Sequence, residues 1–179
     1  MKESLGTPRG EILIREAHPA DAIQFRQLRI EALQDSPIAF TADYQKNLNQ
    51  PTKYWEDLLT MQAEESTIFL AEHENKLIGM TGIVRSSSPK TRHNARIWGV
   101  YVSPEWRGLH IAEEIIHSCF TWAKARKILI AKLGVTAVNQ PAIRCYERCG
   151  FRTYGTEPRA VLYDGKFYDE YLMAVSLDA

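Results

Sequence analysis

The chain has 179 residues, and its 22 Lys plus Arg balance 22 Asp plus Glu, so the formal net charge is zero. With 45% hydrophobic and 25% charged residues it reads as an ordinary globular chain, long enough to bury its own core, and it has neither a basic field nor an aromatic-interleaved motif that would suit nucleic acid. No apolar run reaches the ~18 residues of a membrane span, the start Met1-Lys2-Glu3-Ser4-Leu5 lacks the apolar core of a signal peptide, and Cys119, Cys145 and Cys149 are an odd number; a cytoplasmic protein with free thiols and no membrane partner is expected.

One domain over residues 1–179 is expected, with residues 1–10 as a flexible lead-in because Gly6, Pro8 and Gly10 crowd it. Ile12-Leu13-Ile14 predicts a short strand. Pro19 suits a helix first turn, and Ala22, Phe25, Leu28 and Leu33 give that helix an inner face through about residue 34. Ser36-Pro37 breaks it. A second helix is expected over residues 52–62, with Trp55, Leu58 and Leu59 inside. Three strands follow at 67–71, 76–84 and 95–102, separated by the turn Glu74-Asn75 and the polar loop Ser86-Ser87-Ser88-Pro89.

The second half alternates. A helix at 110–126 buries Ile111, Ile115, Cys119 and Trp122, a strand follows at 128–135, and a helix at 140–149 closes on Gly150. A strand begins at 151–154, Asp164-Gly165 marks a hairpin turn, and a last strand covers 167–175. The pattern is mixed α/β: a central mixed sheet with an antiparallel N-terminal meander, a parallel central pair, flanking helices and a C-terminal hairpin.

Two stretches carry chemistry. Val100-Tyr101-Val102-Ser103-Pro104-Glu105-Trp106-Arg107-Gly108-Leu109-His110-Ile111-Ala112 runs from a strand end through a polar loop into a helix start. Helix starts leave N–H groups unpaired and carry partial positive charge, which suits a pyrophosphate. Gly108 permits close approach of the backbone, and Arg107 adds a cation. Neither a P-loop nor a dinucleotide fingerprint is present. Downstream, Asn139 suits an N-cap and Pro141 a first turn. At ~100° per residue, Asn139, Ala142 and Tyr146 fall within about 60° on one side of a short helix, presenting a phenol that can donate a proton. Taken alone, that helix also reads as amphipathic with a half-buried tyrosine.

Together the two stretches resemble the GNAT acetyltransferase family, which carries Arg/Gln-x-x-Gly-x-Gly/Ala at a helix start and, some thirty residues on, Asn-x-x-Ala-x-x-x-Tyr-Glu-x-x-Gly-Phe. Here the first motif reads Arg107-x-x-His110-x-Ala112, and the second is complete at Asn139, Ala142, Tyr146, Glu147, Gly150 and Phe151. The element order over residues 11–175 matches as well. The resemblance implies an acetyl-CoA-dependent N-acetyltransferase acting on a primary amine, small-molecule or protein, and in that family homodimers are common. Acetyl-CoA would lie between the strand ending at Val102 and the strand around Leu133. Val100, Tyr101 and Val102 would border its pantetheine arm, and the amides of Arg107, Gly108, Leu109, His110, Ile111 and Ala112 would hold the pyrophosphate. Asn139 and Ala142 would flank the cofactor, with Tyr146 near the sulfur as general acid. A backbone N–H near Val100 would stabilise the oxyanion.

The sequence departs from the family pattern in two ways. His110 stands where the family carries glycine and Glu113 follows Ala112, so a β-carbon and a carboxylate are expected to crowd or repel the pyrophosphate, although an imidazolium would attract it. The strand before the helix start, Ala95-Arg96-Ile97-Trp98-Gly99-Val100, lacks the glutamate that serves many relatives as base. A base would then act through water, come from a residue elsewhere such as Glu72, Asp169 or Glu170, each an ordinary surface acid by default, or be absent. These departures favour a second reading, a catalytically weak acyl-CoA-binding or sensor protein. No metal is expected: Cys145 and Cys149 lie four apart, but zinc takes about four ligands and no second pair is well placed. The aromatics Tyr163, Phe167, Tyr168 and Tyr171 cluster about the final hairpin as packing, a subunit contact or an acceptor wall.

Overall fold

Eight strands make one mixed sheet in the computed structural model, which describes residues 2–60 and 65–178. The strands are β1 (Lys2–Thr7), β2 (Gly10–Glu16), β3 (Ser66–His73), β4 (Lys76–Arg85), β5 (Asn94–Val102), β6 (Ile130–Thr136), β7 (Arg152–Tyr163) and β8 (Lys166–Ser176). Their order is β1-β2-β3-β4-β5-β6-β8-β7. Among the described strands β5 and β6 are the one parallel pair, because the helix between them, Ile111–Ala125, carries the chain back along the sheet face so that β6 starts at the same end as β5. The hairpin turns read from sequence are present: Glu74, Asn75, Asp164 and Gly165 all have positive φ, as two-residue hairpin loops require.

Helices lie on both faces. On one, α1 (Ala22–Asp35) and α3 (Thr52–Thr60) cover a core of Phe25, Leu28, Trp55, Leu59, Met80 and Tyr101. Phe25 meets Trp55 edge to face at 5.9 Å. On the other, α4 (Ile111–Ala125) and α5 (Gln140–Arg148) cover Ile83, Ile97, Leu133, Phe151 and Met173. The stripe Ile111, Ile115, Cys119 and Trp122 is buried as its helical spacing requires. Each such large side chain contributes roughly 1.5–3 kcal/mol by leaving water.

Two differences from the sequence reading stand out. The expected flexible lead-in is a strand: β1 pairs with β2 from Lys2↔Arg15 to Thr7↔Gly10, and Leu5 rests on the α4-side core. Pro8-Arg9 makes the turn, with Thr7 Oγ1 donating to the Gly10 carbonyl at 2.7 Å. A short helix, α2 (Tyr44–Leu48), occupies a stretch to which the sequence reading assigns no element, capped by the Asp43 carboxylate accepting from the Lys46 N–H at 2.6 Å. The last two residues expected in the second helix lie outside the described residues.

Candidate active site

The parallel pair is brief. β5 and β6 pair only from Asn94↔Ile130 to Arg96↔Lys132 and then splay, so residues 97–102 present an edge not paired with β6. On its other side β5 pairs with β4, but the register shifts between Met80 and Gly82. Gly99, at φ 68°, sits in this bulge. The extra residue resets the alternation of side chains. Before it, Ala95 and Ile97 face α4; after it, Val100 and Val102 do, while Trp98 and Tyr101 turn toward α1.

The start of α4 lies beside this edge. Ser103 through Arg107 forms a 3₁₀ turn over Pro104–Trp106, Gly108 follows at φ 79°, and His110 takes the left-handed conformation at φ 59° as N-cap. The first helical N–H to close a turn is that of Glu114, donating to the His110 carbonyl at 3.2 Å. Among the described residues the amides of residues 108–112 donate to no backbone carbonyl. The Arg107 side chain turns back: Nε donates to the Val102 carbonyl at 3.0 Å, Nη2 pairs with Asp35, and the guanidinium lies 5.5 Å from the Tyr101 ring. The expected free cation is thus partly committed to holding the loop on β5.

His110 and Glu113, the two residues of the first departure, form one cluster with Arg148. His110 Nδ1 lies 3.1 Å from Glu113 Oε1, and Arg148 donates to the same oxygen from Nε at 3.0 Å and from Nη2 at 2.5 Å. Burial pushes the Glu113 carboxyl up, but the bonds from Arg148, from its own N–H and from His110 together hold it below its usual value. The expected repulsion of an anion is therefore countered, since the carboxylate carries its own guanidinium.

Helix α5 sets Tyr146. Asn139 Oδ1 accepts from the Ala142 N–H at 3.3 Å, giving the expected N-cap. At the far end the Phe151 N–H donates to the Tyr146 carbonyl and the Gly150 N–H to that of Glu147, both at 3.0 Å, with Gly150 at φ 91°. This Schellman closure fixes the last turn, and the Tyr146 ring packs edge to face on Phe151 at 6.1 Å. Burial pushes the phenol well above its ordinary value, aided by Cys145 and Cys149, so at neutral pH it stays protonated.

These parts enclose a cavity of about 480 Å³. Of the residues singled out from sequence, Val100, Tyr101, Val102, Arg107, Gly108, His110, Ile111, Ala112, Asn139, Ala142 and Tyr146 line it. Leu109 does not; its side chain packs on the α4-side core. The Tyr101 hydroxyl turns away to donate to Glu31 at 3.0 Å.

A second cavity of about 320 Å³ opens past Gly99, sharing Ala39 and Phe40 with the first. Of the three acids considered as base, Glu170 alone lines it. Glu72 is paired with Arg15, and Asp169 accepts from the Arg159 N–H at 2.8 Å. Burial, with Glu157 alongside and Arg96 opposing, raises the Glu170 carboxyl. Arg29, unremarked in the sequence, also lines this cavity. Its signal was there: a charged residue between Phe25 and Ala32 on the apolar stripe of α1.

The chain matches the model of the Acetyltransferase (GNAT) family over residues 29–151 and belongs to that family. As an enzyme it falls among the acetyl-CoA-dependent acyltransferases. It is 27% identical to the L-amino acid N-acetyltransferase AaaT of Escherichia coli, over 92% of this chain and 97% of that one. A GNAT-family acetyltransferase from Streptococcus pneumoniae shares the fold at a TM-score of 0.82 and 24% identity, covering 92% of this chain and 98% of the other. YncA of Salmonella typhimurium, solved with its cofactor acetyl-CoA, superposes at a TM-score of 0.76 and 18% identity, over 94% and 95% of the two chains.

Proposed function

We propose that this protein moves the acetyl group of acetyl-CoA onto the nitrogen of a small primary amine, with Tyr146 as general acid and Glu170 as general base. The carrying observation is that Tyr146, Asn139, the amide-rich start of α4 and the open edge of β5 all line one cavity. The Escherichia coli relative is named for L-amino acids, and that size of acceptor is carried over.

In this reading the unpaired amides of residues 108–112 take the pyrophosphate, and the edge at Val100–Val102 accepts the pantetheine arm as an added strand. The acceptor enters from the cavity past Gly99. Glu170 takes a proton from its nitrogen, the nitrogen bonds to the thioester carbonyl carbon, and the bulged backbone at Val100 supplies an N–H where negative charge develops. As the carbon–sulfur bond breaks, Tyr146 gives its proton to the sulfur and regains one from water. Orientation across the bulge supplies much of the acceleration.

Calorimetry with acetyl-CoA, ATP and NAD, followed by free-thiol release with an amine panel, tests this reading. Acetyl-CoA should bind well above the other two, and at least one small amine should release thiol. Equal or absent binding of all three would sink it. Selective binding with no thiol release from any amine would leave an acyl-CoA-binding protein instead.

A further inference from the structure

We infer that the acceptor carries a carboxylate close to its amine, and that the guanidinium of Arg29 is the seat of that carboxylate. This names the acceptor class of the transferase reading above and rests on it.

Arg29 is only 9% exposed, and its Nη1 is buried with no hydrogen-bond partner. Among the described residues the side chain forms no ion pair. Its guanidinium lies 5.0 Å from the Phe40 ring centre, a contact that offsets only part of the lost hydration. Burial pulls its pKa down, yet an arginine keeps its proton inside proteins. A desolvated, charged, unmatched donor is expensive. The cavity past Gly99 gives it access to a ligand that would match it.

The surroundings say which ligand. A β-carbon at Gly99 would come within 3.5 Å of Arg29 Nη1, and one at Gly134 within 2.9 Å of Glu170 Oε2. The two splayed strands thus each leave a bare wall beside a charged group, one cationic and one anionic, in the same cavity. Phe40, Trp98, Val84 and Ile97 supply apolar lining between them. That is the complement of an amino acid with an apolar side chain: ammonium toward Glu170, carboxylate toward Arg29. Arg96 also lines the cavity, but it is exposed, and water weakens its pull. The desolvated Arg29 is where a charge-assisted bond discriminates.

The test compares L-leucine with isopentylamine, its decarboxylated counterpart, on the whole chain loaded with coenzyme A. Calorimetry reads binding, and thiol release from acetyl-CoA reads turnover. L-leucine should bind about ten- to a hundredfold tighter than isopentylamine, the scale of a charge-assisted hydrogen bond. In Arg29→Met that ratio should fall toward one. If this variant does not fold by circular dichroism, Arg29→Lys, which keeps the charge but shifts the donor, should still cut the ratio severalfold. Equal binding of the two ligands by the wild type, or an unchanged ratio in a folded variant, overturns the inference. A carboxylate preference that depends on Arg29 without thiol release supports this seat while sinking the transferase reading.

Discussion

Arg148 donates two hydrogen bonds to a single oxygen of Glu113, and so ties the last turn of α5 to the first turn of α4. Tyr146 and the amide-rich helix start sit on the two elements that this pair joins. Removing the guanidinium leaves a buried carboxylate beside the amide-rich end of the cavity. Arg148→Met should therefore weaken acetyl-CoA binding and lower Tm by a few degrees at pH 7. The sign with pH follows from the depressed Glu113 carboxyl. Its stabilisation is full above the unfolded value near 4.5 and is lost as pH falls through the lower folded value. The gap in Tm between wild type and variant should hold from pH 7 down to about 4.5 and narrow as the pH falls further; a gap that stayed constant below that point would show that the pair does not couple to folding.

Tyr146→Phe keeps the ring on Phe151 and removes only the hydroxyl. A thiolate is a fair leaving group, so the loss should fall at the low end for general acids, roughly ten- to a thousandfold in kcat. Acetyl-CoA affinity and Tm should change little. Wild-type turnover in the variant would reduce Tyr146 to a packing residue.

Glu170 faces Arg96, Glu157 and, across the cavity, Arg29. As a base it works only when ionised, so kcat/KM should rise with pH through its raised value, above the usual 4.5. Glu170→Gln should cost ~10²–10⁴-fold in kcat and flatten that limb. The stability sign is opposite. A carboxyl with a raised folded value destabilises as pH climbs past its unfolded value, so the glutamine variant should melt higher than wild type at pH 8. A lower melt with full activity would remove Glu170 from the site.

His110 holds a left-handed conformation that an L-residue adopts at a cost of about 1–2 kcal/mol. His110→Gly relieves it but gives up the 3.1 Å contact with Glu113. The fold and Tm should be maintained and acetyl-CoA binding preserved or tightened. A large loss of affinity, measured by calorimetry, would instead make the imidazole a phosphate ligand.

Much of this protein could be read without coordinates, because local rules govern it. The periods of 2 and 3.6 placed β3 to β5, α1, α4 and α5; Asn139 and Gly150 marked the ends of α5; and Asp164-Gly165 marked the last hairpin. The helix start at His110 and the phenol at Tyr146 stood out because spacing along one chain segment decides what shares a helix face. β1 was missed because a strand of Lys2-Glu3-Ser4-Leu5-Gly6-Thr7 has little alternation of its own and exists by pairing with β2.

What the tertiary structure alone decided is what faces what. The bulge at Gly99 resets the side-chain parity of β5, and no periodicity within the strand announces it, because the shift is defined against Met80 and Gly82 on the partner. Whether Arg107 is free or paired depends on Asp35, seventy-two residues away, and the quieting of Glu113 depends on Arg148, thirty-five away. Arg29 and Glu170 come from opposite ends of the chain, and they share a cavity only because β5 and β6 part after three paired residues. Sequence determines local conformation through near-neighbour sterics and hydrogen bonds. The charges across a cleft are set by long-range pairing, whose partners are chosen by the burial of the whole sheet.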